Sequence, residues 1–262
     1  MTSRHTFAAI FLTFALTVAG CKHAAAPNTP SSATTPASSM PTATPWVDPN
    51  TAGSIVGTVH FDGKPPARVS IDMSMDPACA MSATPNSAEQ VVVTGHSLAN
   101  VYIYVKSGIP ASSAPAGTAP TVLDQKGCRY TPHVIALQQG GSVQFKNSDP
   151  TMHNIHTTPA DGSTSIDVSQ SPMGEPQTKQ FNQAETMLPV RCNNHPWMQA
   201  YINVAPNPYF AVTAADGSFT IPNLPPGTYT LAAVHETLGE KDIQITIAPK
   251  ATAKADFTFA TK

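Results

Sequence analysis

Residues Arg191 to Met198 read R-C-N-N-H-P-W-M and place a thiol, an imidazole and a thioether in one short loop, Cys192, His195 and Met198 at the spacing C-x2-H-x2-M. Thiolate and neutral imidazole are strong ligands for late first-row metals, and a thioether is a soft, weak one. Pro196 restricts the loop because its φ is fixed and its N–H is missing. Two imidazoles and a thiolate with a long axial thioether form the donor set of a mononuclear blue-copper centre. The loop supplies three of these four donors, so the second imidazole must come from another element. The stretch F-K-N-S-D-P-T-M-H-N-I-H, Phe145 to His156, offers His153 and His156. Zinc would leave Met198 idle and would call for a second cysteine or an acid. A binuclear copper centre needs two bridging thiolates, and Asn193 and Asn194 stand where the second would be.

The Phe145 to His156 text followed by the C-x2-H-x2-M loop resembles the cupredoxins, and the compact loop is most similar to the plastocyanin/amicyanin-like members. The resemblance spans roughly Tyr130 to Val204. It implies a Greek-key β-sandwich with one type 1 copper that cycles between Cu(I) and Cu(II), and with His153, Cys192, His195 and Met198 as its ligands. It also implies that Asn154 ties the two ligand-bearing loops together. On a regular strand His156 faces away from His153, and His133, in Y-T-P-H-V, reads as a packed, hydrogen-bonded histidine at the start of a strand. The loop from Thr157 to Gln177 is longer than a minimal cupredoxin needs.

The elements that must position these groups are short strands. From Thr51 onward, apolar or alternating runs separated by turn residues recur without a helical period, which argues for β-sandwiches. Those nearest the ligands are Val143 to Asn147, His153 to His156, Leu188 to Arg191 and Tyr201 to Val204. Gln139-Gly140-Gly141 and Asp216-Gly217 read as hairpin turns. Pro206 and Pro208 mark a boundary. Beyond it, D-G-S-F-T-I-P-N-L-P-P-G-T-Y-T-L, Asp216 to Leu231, resembles the carboxypeptidase regulatory-like domain, a small transthyretin-like sandwich with no catalytic residues to transfer. The strand that usually opens that family, G-S-I-V-G-T-V-H-F-D-G-K-P-P, lies far upstream at Gly53 to Pro66. Either the sandwich is interrupted by an inserted domain, which is preferred, or the early strand belongs to the central domain. The expected class is therefore all-β. A cupredoxin-like Greek-key sandwich spans 111–205 and a second small sandwich spans 206–262. Residues 51–110 are assigned by preference to the second.

Four cysteines are present, Cys21, Cys79, Cys128 and Cys192. Residues 1–20 have the pattern of an export signal. Arg4 and His5 precede an apolar run too short to span a bilayer comfortably, and Val18-Ala19-Gly20-Cys21 resembles a bacterial lipoprotein cleavage box. Residues 21–50, rich in Pro, Ala, Ser and Thr, should form an extended tether. With a lipid on Cys21 and Cys192 on a metal, Cys79 is left to pair with Cys128. The alternative, a disulfide to Cys192, leaves His195 and Met198 without a role. The compartment is then periplasmic or the cell envelope, lipid-anchored, with Lys22 after the cysteine pointing to the outer membrane.

With net charge −2 and 11% charged residues over 262 residues, nothing suggests attraction to nucleic acid. Electron transfer is the expected role, with no enzymatic activity. A redox protein is expected to dock near His195, Pro196 and Trp197, the His195 ring lying at the surface. The alternative is a copper-handling protein without a redox partner, for which Met73, Met75 and Met81 around Cys79 would matter. Packing beside a disulfide is the plainer account of those three.

Overall fold

The computed structural model describes residues 47–81, 86–109, 116–117 and 119–261. The expected leader, Cys21 anchor and tether as far as residue 46 lie outside the described residues. In chain order, β1 (Gly53–Asp62), the one-turn helix α1 (Pro77–Ala80), β2 (Val93–Thr94), β3 (Ser97–Leu98) and β4 (Tyr102–Ser107) come first. A run of nine strands follows. These are β5 (Thr121–Gln125), β6 (Tyr130–Thr131), β7 (Val134–Gln138), β8 (Ser142–Asn147), β9 (His153–Thr157), β10 (Asp167–Gln170), β11 (Gln177–Gln180), β12 (Glu185–Arg191) and β13 (Gln199–Ala205). The last are β14 (Phe210–Val212), β15 (Ser218–Leu224), β16 (Gly227–His235), β17 (Gly239–Ile247), β18 (Thr252–Lys254) and β19 (Phe257–Ala260).

These strands build the expected all-β architecture of two sandwiches. In the first, a sheet of order β10-β9-β12-β13-β7 faces one of order β11-β8-β5-β6. Alternation along β8, with Val143, Phe145 and Asn147 inward, supplies one side of the core. Ile155, Val190, Ala200 and Ile202 supply the other. The second sandwich draws on both ends of the described chain. β1 pairs antiparallel with β15 and parallel with β18 and β19, while β14, β4, β16 and β17 form the opposite sheet. Ile55, Val59 and Phe61 of β1 meet Ile103, Leu231 and Ile245 between the two sheets.

The two glycine turns correct the hairpin expectation. Gly140 and Gly217 do take positive φ, +85° and +74°, but each turn hands the chain from one sheet to the other. β7 pairs with β13 while β8 pairs with β5 and β11, and β14 pairs with β4 while β15 pairs with β1. Turn chemistry fixes a reversal of direction; whether the flanking strands pair depends on which faces they must bury.

Between the sandwiches, His133 is packed and bonded as expected, its Nε2 2.6 Å from Glu236 Oε1 and its Nδ1 3.1 Å from the Gln199 carbonyl. Within the second sandwich the closest backbone approach is at Gly57, where a Cβ would lie 1.7 Å from the Ala255 carbonyl oxygen and 2.7 Å from the Phe219 ring. Gly57→Ala should therefore cost about 3 kcal/mol, at the upper end of overpacking penalties. Thermal melting should show it as a fall in Tm of roughly 6–12 °C for a unit of this size.

Candidate metal centre

The loop from Cys192 to Met198 is the connection between two antiparallel partners, for Arg191 at the end of β12 sits opposite Gln199 at the start of β13. It closes on itself: Met198 N–H donates to the His195 carbonyl at 2.9 Å and Cys192 N–H to the Met198 carbonyl at 3.4 Å. β12 also pairs with β9, Arg191 opposite His156, which brings the start of β9 beside the loop. His153 is fully buried, and Cys192, His195 and Met198 are buried. Asn154 ties the two elements, its Oδ1 accepting the Asn193 N–H at 3.3 Å. His156 is bonded instead to the Asn193 side chain at 2.8 Å, on the exposed side.

His153 Nδ1 and His195 Nδ1 lie 2.9 Å apart, with the Cys192 sulfur 3.6 Å from the latter. His153, Cys192 and His195 all offer ligand atoms within 4.8 Å of one another. Met198 is packed in the same core cluster as Cys192. The outer nitrogens are both taken. His153 Nε2 is 2.9 Å from Asp149 Oδ2 and His195 Nε2 is 2.9 Å from Asp76 Oδ2. An ionised carboxylate can only accept, so each Nε2 carries the hydrogen. The facing Nδ1 atoms are then both lone-pair acceptors unless a proton or a cation stands between them. At zinc-like bond lengths, about 2.0–2.1 Å to nitrogen and 2.3 Å to sulfur, one ion can bridge the two Nδ1 atoms, and His195 Nδ1 and the Cys192 sulfur, because those lengths sum to more than the 2.9 Å and 3.6 Å separations. The donor set therefore fits a single soft-to-borderline metal.

The carboxylates are held ionised. Burial works against the Asp76 charge, but bonds from His195, Thr151 and the Ala78 and Cys79 N–H groups outweigh it and bring the pKa down to about 2. For Asp149, burial is likewise outweighed by bonds from His153 and the Cys128 and Gly127 N–H groups, and the carboxyl titrates below its usual range. At Cys192, burial opposes the thiolate, yet the His153 bond and the Asn194 N–H, helped by His195 and the Asn154 N–H, lower the pKa to about 6. At His153, burial opposes the imidazolium, and the bonds to Asp149 and Cys192 overcome it, raising the pKa to about 8.

Cys79 and Cys128 form a disulfide, and Cys192 is free. The Cys79 sulfur is 3.8 Å from His195 Nε2. The bridge joins α1, which Asp76 caps by accepting the Ala78 N–H at 2.8 Å, to the turn whose Gly127 and Cys128 N–H groups donate to Asp149. It thus connects the two outer supports of the two imidazoles. The same cover corrects the expectation that His195 lies at the surface. The residue is only 3% exposed, whereas Pro196 is exposed and Trp197 half-buried. The Trp197 ring centroid is 5.1 Å from that of His195, and its Nε1 donates to the Cys128 carbonyl at 3.0 Å. Met73 packs on the disulfide, while Met75 and Met81 are exposed.

Asp76 and Asp149 are the groups the sequence reading missed. Asp76-Pro77 carries a helix-start signal, an N-cap acid followed by proline at the first helical position. Nothing local says that this cap lands on a histidine 119 residues away.

The class that fold and site define is an all-β, two-sandwich protein with a buried His-Cys-His cluster. The family described as "Carboxypeptidase regulatory-like domain" matches residues 192–260. That stretch begins in the ligand loop and ends in β19, whereas the second sandwich also uses β1, β3 and β4. No curated protein matches the chain. Among solved structures, the chain is similar to a Cu-containing nitrite reductase (NirK) from Thermus scotoductus SA-01, at 19% identity and TM-score 0.31, over 37% of this chain and 25% of that one. It therefore spans about a quarter of that protein's length. It is also similar to amicyanin from Paracoccus versutus (21% identity, TM-score 0.30, 39% of this chain and 96% of that one). A purple cupredoxin from Nitrosopumilus maritimus is similar at 20% identity and TM-score 0.27, over 32% and 98% of the respective chains.

Two titrations follow from these shifts. In metal-free protein the thiolate absorbance should appear through about pH 6 and be absent from Cys192→Ser; a midpoint near the ordinary thiol value of about 8.5 would contradict the geometry. The Asp76 charge stabilises the fold above its unfolded pKa of 3.8, and that stabilisation is lost as pH falls through the folded value of about 2. Urea unfolding should thus show wild type more stable than Asp76→Asn at pH 7, with the gap closing between pH 4 and 2.

Proposed function

We propose that this chain is a mononuclear copper protein of the cupredoxin type that carries single electrons in the periplasm or cell envelope, tethered to a membrane by a lipid on Cys21. The observation that carries the reading is the pair of buried Nδ1 atoms 2.9 Å apart beside a free cysteine, each ring fixed from behind by a carboxylate. Copper held by His153, Cys192, His195 and Met198 would supply one-electron Cu(II)/Cu(I) chemistry.

The chain's own residues then do three things. Asp149 and Asp76 orient the rings and make them stronger donors. The disulfide and the surrounding apolar core hold that arrangement and keep water out, so little has to move when charge changes. Trp197, one ring removed from His195 and next to exposed Pro196, offers the path to a docking partner in place of the His195 edge. A docking face there is consistent with the small interfaces of redox encounters. The reading of a copper-handling protein without a redox partner uses the same ligands and differs in lacking fast electron exchange.

Copper-loaded protein should show an intense thiolate-to-copper band and a type 1 paramagnetic-resonance spectrum. Cys192→Ser should abolish the band and His156→Ala should leave it intact; retention in the first variant would end the proposal. Asp149→Asn should weaken Cu(II) binding about 10- to 100-fold. A tenfold loss confined to Cu(II) would raise the potential by about 59 mV, measurable by voltammetry.

A further inference from the structure

Among the described residues, the large apolar side chains most exposed to solvent include four methionines, Met75, Met81, Met152 and Met173. One exposed methionine needs no explanation; the positions of these four do. Met75 and Met81 flank α1 and its cap Asp76, the outer partner of His195. Met152 immediately precedes His153, and Met173 donates its N–H to the carbonyl of Asp149, the outer partner of His153. All four lie in the segments that brace the two imidazoles. Met75 and Met152 also line a single cavity of about 430 Å³ together with Asp76, Thr151, Asn194 and His195. His195 thus borders that cavity, and its ring has Nε2 on Asp76 and Nδ1 on the buried His153 and Cys192.

Thioethers are soft, neutral donors that select Cu(I) over the harder divalent ions, and methionine's unbranched, flexible chain lets two of them converge on one ion. An ionised carboxylate beside them offsets the ion's charge. We infer that the Met75–Met152 cavity is a second, outer site for Cu(I), where the ion is first captured before it passes His195 into the buried cluster. The loading role rests on the copper reading given above, whereas the outer site itself does not. No electron changes hands in the transfer; thioether ligands are exchanged for imidazole and thiolate.

The test starts from Cys192→Ser combined with His153→Asn, which removes the thiolate and one of the two facing imidazoles from the inner site. This protein should bind one equivalent of Ag(I), a redox-inert stand-in, and of Cu(I) in competition with a chromogenic chelator, with the S-methyl resonances of Met75 and Met152 moving on Ag(I) addition. Adding Met75→Leu and Met152→Leu, both at exposed positions, should remove that equivalent. Unmoved methyl signals, or binding retained without the two thioethers, would overturn the outer site whether or not the wild-type protein is blue. With Cys192 and His153 intact, the leucine pair should reach the same final Cu(I) content, read from the loss of the chelator complex's absorbance, but load at least tenfold more slowly. Equal rates would overturn the loading role and leave the exposed methionines to a protein-docking surface.

Discussion

Two imidazole nitrogens that both present lone pairs cannot rest 2.9 Å apart in a buried pocket unless positive charge lies between them. The surrounding structure serves that constraint. The Asp149 and Asp76 carboxylates fix which nitrogen of each ring bears hydrogen. β9 and the β12–β13 loop bring the rings together at one end of a paired ladder, and the free thiol of Cys192 closes the third side. In metal-free protein a proton shared with the thiolate can occupy the gap, and any metal ion bound there would have to displace it.

The disulfide gives the constraint its rigidity. One sulfur is on the helix whose cap supports His195, the other on the turn whose amides hold the carboxylate supporting His153. The two supports are far apart in sequence and would otherwise move independently. Bridging them makes the distance between the rings a property of the covalent chain rather than of loop packing alone. The arrangement also encloses the ring of His195, so contact with any other protein must be made through Trp197 or through the neighbouring surface.

Much of this was legible in the residues. The C-x2-H-x2-M spacing and the H-N-I-H strand pointed to the donor types, alternation separated His153 from His156, and counting cysteines singled out Cys192. What escaped was information that exists only once the chain is folded. β5 and β10 carry mixed polar sequences, T-V-L-D-Q and D-V-S-Q, whose single apolar faces give too short a period to read. α1 spans four residues, less than the window in which a helical period shows. Asp76 announces a helix start but not its distant partner, and the burial of His195 depends on a segment more than a hundred residues upstream. The glycine turns revealed where the chain reverses; only the facing layers decide which sheet it joins next.

β1 has consequences for how the molecule bears load. It lies inside its sheet, bonded antiparallel to β15 on one side and parallel to β18 and β19 on the other. Tension applied to the chain ahead of Gly53 therefore meets ladders of hydrogen bonds loaded in shear, which must yield together rather than unzip one at a time. The strands that would share that load belong to the second sandwich, whereas His153 and Cys192 sit on β9 and the β12–β13 loop of the first.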